Sequence, residues 1–243
     1  MLLSLIYTEL IKYKRTAVIW MILIGGFLTA GTAYLMVSSN NSEANWQIYS
    51  AAAFNCVNTL ALLLSAVFTG YVVMGEYHGS TISTIFSYPV SKLKLLLIKF
   101  FIILLMVIAL YMVFLISTLL FGILNIGEIP STEFLIKLIK LSLLMAVVNY
   151  VLAPVTAIIS LLIKGTATYL FVGMGYFITY VSFINSEYSY LIPTNIPNKL
   201  IEHYFVSNFL SKTDFAYLSA VSAVFFFLAV ISASVYYLKS DCR

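Results

Sequence analysis

Apolar residues in this chain come in long unbroken runs. They show neither the two-residue alternation of a half-buried strand nor the spaced stripe of a helix with one wet face. Six runs approach or exceed the ~20 residues that a helix needs to cross a ~30 Å hydrocarbon core. They are Ala17–Val37, Ala51–Met74, Phe100–Leu124, Leu141–Ile163, Ala167–Ile184 and Phe215–Leu238. The fifth, with 18 residues, is the shortest. A membrane barrel would show alternating segments of about ten residues instead. Backbone groups left unpaired in lipid each cost several kcal/mol, so spans of this kind must be helical. The expected fold is all-α with six transmembrane helices, a single membrane domain over 1–243.

The polar residues between the runs are also patterned. In Leu2–Arg15, Ser4, Thr8, Lys12 and Arg15 recur at helical spacing, and Leu3, Ile6, Tyr7, Leu10 and Tyr13 fill the other side. That pattern predicts a helix, 2–15, lying along the membrane surface. Ser131 is placed to cap a helix that leads into the fourth span, with Glu133 and Lys137 one turn apart. Asn185–Asp214 carries Pro193 and Pro197 and reads as a loop, and Pro154 is expected to kink the fourth span.

The insert between spans two and three, 75–94, carries Glu76, His78, Lys92 and Lys94, with Lys99 just beyond, and Lys92, Lys94 and Lys99 are expected to mark the inner membrane interface. Within it Ile82, Ile85 and Phe86 fall on one side of a short helix, and Ser83, Thr84 and Ser87 on the other. Gly79 and Ser80 offer a turn before it. Pro89 ends it, because the residue before a proline avoids the helical region. Ser91 then stands where it would cap span three. The apolar side of such a helix is too small for a membrane anchor but suits a groove on another protein. An ordinary interfacial turn is the alternative.

Composition agrees with the runs: 62% of residues are hydrophobic, 9% charged, and the mean hydropathy is +1.03. A soluble domain has about 45–50% apolar and about 25% charged residues. Lys and Arg concentrate on one side. If the N-terminus is cytoplasmic, the inner segments hold Lys12, Lys14, Arg15, Lys92, Lys94, Lys99, Lys164, Lys239 and Arg243. The outer segments hold only Lys137, Lys140, Lys199 and Lys212. The positive-inside rule therefore puts both termini in the cytoplasm and makes 185–214 an outer loop. The basic cluster follows the first apolar stretch, which is the wrong order for a cleavable signal. No clustered basic surface for nucleic acid is expected. Cys56 and Cys242 have neither metal-ligand nor disulfide spacing.

Candidate chemistry is sparse. No glycine is followed by lysine, so a phosphate-cradling G-x-x-x-x-G-K-[ST] loop is excluded. The spans hold no Asp, Glu, His, Lys or Arg away from their ends, which argues against an ion-coupled carrier. A membrane hydrolase would need a nucleophile and base, or metal ligands, within the spans. His78 and His203 both fall in connecting segments, so no catalytic or metal set is expected. Neutral polar residues do occur: Asn55, Asn58, Ser65 and Thr69 follow one face of span two, with Thr59 beside them, and Asn149 lies in span four. Span five carries Tyr169, Phe171, Tyr176, Phe177 and Tyr180 around Gly173 and Gly175. Asn55, Asn58, Thr59, Tyr169, Tyr176 and Tyr180 are candidates for a substrate pathway. Hydrogen bonding and packing between helices are the structural alternative.

The order Glu76, Gly79, Thr81, Pro89-Val90-Ser91-Lys92 and Lys99 resembles the segment joining spans two and three of ABC-2-type permeases, the membrane subunits of ABC exporters. Ser80 here separates a glycine and a threonine that usually adjoin. The resemblance implies that the insert is a coupling helix seated in an ATP-binding subunit, through Glu76, Gly79, Thr81, Ile82, Ile85, Phe86, Tyr88 and Pro89. It implies ATP and magnesium in that partner, no cofactor in this chain, and a second permease copy, identical or not. The chain is similar to small permeases that export bacitracin, lantibiotics or peptide toxins, which implies a bacterial plasma membrane. A scaffold without a transport cycle and an exporter of a drug, lipid or ion are the alternatives.

Overall fold

The computed structural model describes residues 2–14, 16–39, 45–78, 91–163, 165, 167–206 and 212–239. Among these there are helices and turns but no strand. The elements are α1 (Leu2–Tyr13), α2 (Ala17–Ser39), α3 (Trp46–His78), α4 (Lys92–Ile126), α5 (Thr132–Tyr150), α6 (Ala153–Ile163), α7 (Thr168–Phe183), α8 (Ile196–Ile201) and α9 (Lys212–Lys239). A 3-10 turn, Glu187–Leu191, precedes α8, and a π turn, Glu202–Val206, follows it.

Five helical stretches are long and apolar enough to cross a membrane: α2, α3, α4, the α5–α6 pair and α9. The expected fifth span is α7, a helix of 16 residues. At 1.5 Å per residue it is ~24 Å long, less than the hydrocarbon thickness. The other spans exceed their apolar runs. α3 continues to His78 and α4 starts at Lys92, because helical hydrogen bonding does not stop where hydrophobicity does.

α3 is the central helix. Tyr49, Phe54, Val57, Leu62, Phe68 and Val72 are all buried, and α2, α4, α6 and α7 pack around it. α2 lies close against α4: a Cβ on Gly26 would sit 2.8 Å from the backbone nitrogen of Phe114. With little hydrophobic drive between helices in lipid, such small-residue contacts let backbones approach and gain dispersion energy. α9 and one side of α2 leave most of their apolar residues exposed, Trp20, Phe27, Phe227 and Leu228 among them, as expected for lipid-facing surfaces.

The turn from α4 to α5 is specified locally. Gly127 takes a left-handed φ of 78° and donates its N–H to Ile123 O at 2.9 Å, a conformation that costs glycine little. Ser131 caps α5 as expected, its hydroxyl accepting the N–H of Phe134 at 3.3 Å. Ser91 also holds the cap position of α4, but its side chain makes no cap bond. The expected kink in span four is a two-residue break, Val151–Leu152, directly before Pro154. Proline supplies no N–H to continue the ladder there.

Four expectations need correction. α1 is not divided simply into polar and apolar sides. Ile6, Glu9 and Tyr13 turn toward the bundle, with Glu9 buried and ion-paired to Lys12, while Tyr7 and Leu10 are exposed. Lys99, expected to mark the membrane interface beside Lys92 and Lys94, is 1% exposed. The segment 185–214 is not an open loop over 187–206: it folds into helical turns that bury Ile196, Leu200, Ile201 and Phe205. Pro193 and Pro197 signal a loop only when no apolar spacing opposes them. Here Ile196, Leu200 and Ile201 supply an i, i+4, i+5 stripe, and proline is tolerated in a first helical turn. Span five is short, as given above.

Candidate functional site

The coupling segment is approached from its two roots. Glu76 lies in the last turn of α3. Gly79, Thr81, Ile82, Ile85, Phe86, Tyr88 and Pro89 lie outside the described residues. The far root is Ser91 with the first turns of α4. α1 joins this end of the bundle: it packs against α4, and the Tyr13 ring meets the Tyr71 ring of α3 edge-on at 6.0 Å.

The six pathway candidates are brought partly together, along one seam between α3 and α7. Tyr169, Gly173, Tyr176 and Tyr180 share a face of α7 (i, i+4, i+7, i+11). The Tyr169 ring lies on Gly70. Gly173 meets Leu63 and Ala66, where a Cβ would come within 3.3 Å. Tyr180 packs with Leu62 and Leu152, and its hydroxyl faces Asn58. Asn58 is fully buried, yet neither amide atom has a hydrogen-bond partner of acceptable geometry among the described residues. Asn55 and Thr59 bond back to their own helix, to Ala51 O at 3.0 Å and Cys56 O at 2.8 Å. Ser65 and Thr69 do the same, to Leu62 O and Ser65 O. The polar stripe of α3 is therefore largely satisfied within the helix, and Asn58 is the exception.

Tyr176 has another task. Its hydroxyl donates to Leu152 O at 3.2 Å and sits 2.9 Å from the Thr156 hydroxyl, which itself bonds Leu152 O at 3.2 Å. The carbonyl at the α5–α6 break thus has two side-chain donors. On the other side of the break, Asn149 Nδ2 donates to the Tyr111 hydroxyl at 2.8 Å and to Met145 O at 3.2 Å. Leu152 O also accepts the Thr156 N–H at 3.1 Å, so the hydroxyls add to a backbone bond and tie α7 to the break. Tyr111 and Thr156 are residues that sequence reasoning missed. Tyr111 sits inside an unbroken apolar run, where only its hydroxyl distinguishes it.

At the opposite end of the bundle, Phe205 joins 187–206 to α3 and α5. Its ring is 5.7 Å from Phe54 and 6.3 Å from Phe134, its carbonyl accepts from Gln47 Nε2, and the Lys137 ammonium lies 5.5 Å over the ring. Asn198 and Lys199 both reach Glu202 at 2.9 Å.

Apolar helices around a buried polar seam, with a charged insert between two of them, describe a membrane protein and not yet a particular one. The profile of the ABC-2 family transporter proteins matches residues 5–182, about three-quarters of the chain. The chain belongs to the ABC-2 transporter family. No curated protein matches it. This permease is the membrane component of its transporter and a multi-pass membrane protein. The family is a permease family and not that of the ATPase subunit, and it implies an ATP-binding partner. The match spans α1 to α7, so the N-terminal helix, the seam and the insert all fall within the family's own extent.

Proposed function

We propose that this permease is the membrane half of an exporter with both termini in the cytoplasm and six crossings, α7 supplying the short one. Two permease copies pair with two ATP-binding subunits. The segment 79–90 sits in a cleft of the ATP-binding subunit, with Ile82, Ile85, Phe86 and Tyr88 as its apolar contacts and Glu76, Gly79, Thr81 and Pro89 fixing its entry and exit. ATP binding closes the motor halves, and the segment carries that movement into α3 and α4.

The cargo we infer is an amphipathic or hydrophobic peptide of the antibiotic, lantibiotic or toxin class. The observation that carries this reading is the polarity of the α3–α7 seam. It offers an amide at Asn58 and phenols at Tyr169 and Tyr180, with the Tyr176 ring beside them, its hydroxyl bonded to Leu152 O and Thr156, and no charge among these residues. Neutral hydrogen-bonding groups among aromatic rings suit peptide amides between apolar side chains. They give an inorganic ion no counter-charge.

The test is purification of the permease from its native membrane, followed by ATP hydrolysis measurements with candidate peptides. The reading expects an ATP-binding protein to co-purify and its turnover to rise with one peptide class. It also expects Phe86→Asp to release the ATP-binding protein while the permease still reaches the membrane. A permease that purifies alone, or a complex indifferent to Phe86→Asp, would overturn it. Stimulation by a lipid or drug but by no peptide would move the cargo to another class.

A further inference from the structure

Lys99 is at odds with its surroundings. It stands two turns into α4 and is 1% exposed, and the side chains buried beside it in sequence are Leu95, Leu96, Ile98, Phe100, Ile102 and Ile103. An ammonium group in such a place is costly, whereas a methionine of similar length would fill the space without that cost. The side chain does not run out to water. Its Nζ reaches back across 26 residues to the carbonyl of Val73 on α3, at 3.5 Å. Val73 lies near the C-terminal end of α3, where the helix dipole presents partial negative charge and a cation is stabilised. Val72, Val73 and Met74 are themselves buried, so the contact is sheltered from screening.

The location gives the contact its meaning. α3 ends at His78 and α4 begins at Lys92. Residues 79–90 join these two roots in sequence. Without a cross-tie, a push on that segment could bend one root and leave the other in place. We propose that Lys99 is a positioning residue: its ammonium fastens the last turns of α3 to the first turns of α4, so that movement of 79–90 enters both helices together. This rests on the reading that 79–90 receives the motor subunit. The tie itself is a property of the permease alone.

The experiment separates the two. Amide hydrogen exchange is followed in the purified permease and in the Lys99→Met, Lys99→Gln and Lys99→Arg variants, with the thermal midpoint as the check on folding. The expected result for Lys99→Met is a chain that still folds and melts cooperatively. Exchange should rise about tenfold, confined to 73–78 and 92–98, because local openings there lose their tie. Lys99→Arg, which keeps charge and donors, should remain close to the parent. If Lys99→Met does not accumulate, Lys99→Gln reads the same exchange with a neutral donor. Unchanged exchange at both roots in whichever neutral variant folds would overturn the proposal.

In the co-purified complex, Lys99→Met should retain the ATP-binding subunit while Mg-ATP turnover loses its response to the permease. Full response despite loosened roots would also overturn the positioning role. Should no ATP-binding protein accompany the parent permease, the motor reading fails, and the exchange data still judge the tie.

Discussion

The ring of Tyr169 lies so tightly across Gly70 that a Cβ on the glycine would fall 2.2 Å from its Cγ. The atoms in the way are Cβ, Cγ and Cδ1, close to the root of the side chain, so a rotamer change cannot make room. α7 is thereby registered on α3 at one end of their contact, and Gly173 against Leu63 and Ala66 continues the register toward Tyr180.

Gly70→Val should therefore separate the two helices. Overpacking a tight contact costs typically about 1–3 kcal/mol. The thermal midpoint of the purified permease should fall, and Tyr169→Gly in the same chain, which also removes the Cβ that lies 2.3 Å from the new one, should restore part of the loss. A midpoint equal to the parent's would mean that α7 does not rest on Gly70.

Tyr176→Phe removes the hydroxyl that serves Leu152 O and Thr156 while leaving the ring. Polar contacts within membranes average roughly 0.6 kcal/mol each, so a loss of about 1 kcal/mol is expected. Thr156→Val should produce a similar loss. The double variant should lose less than the sum, because both side chains serve one carbonyl. Strict additivity in thermal melts would separate their roles.

Asn58→Leu distinguishes a pathway from a packing role. The amide is buried and faces the Tyr180 hydroxyl without a hydrogen bond of good geometry, and a poorly satisfied buried polar group costs up to about 1–3 kcal/mol. Replacement by leucine should leave stability level or raised. If the seam meets cargo, the same variant should transport a narrower set of peptides. Lower stability with an unaltered cargo range would assign Asn58 to the fold.

The orientation is testable with single cysteines on a background lacking Cys56 and Cys242. Lys94→Cys and Glu187→Cys occupy exposed positions at opposite ends of the bundle. An impermeant maleimide applied to whole cells should label the second and not the first. The reverse pattern inverts the topology, and labelling of both from one side breaks it.

Much of the architecture was legible because hydrophobic length is a direct physical requirement of the bilayer. Five long spans, the cap at Ser131 and the break before Pro154 all follow from run length, a hydroxyl in the right place and a missing N–H. What was not legible depended on partners distant in sequence. Ile196, Leu200 and Phe205 read as part of a loop because the surface that buries them comes from α3 and α5. Lys99 read as an interface residue because nothing nearby announces the Val73 carbonyl. Asn58 and Tyr180 could each be picked out as polar, but their meeting required the α3–α7 register, which two glycines set.

α7 has one more consequence, for the lipid around it. A helix of 16 residues beside the 33-residue α3 leaves the acyl chains on that flank with a shorter wall to wet. The cheapest accommodation is a local dimple in which the two leaflets draw together. This permease should accordingly respond to acyl-chain length, working best in thin bilayers and slowing where chains are long and ordered.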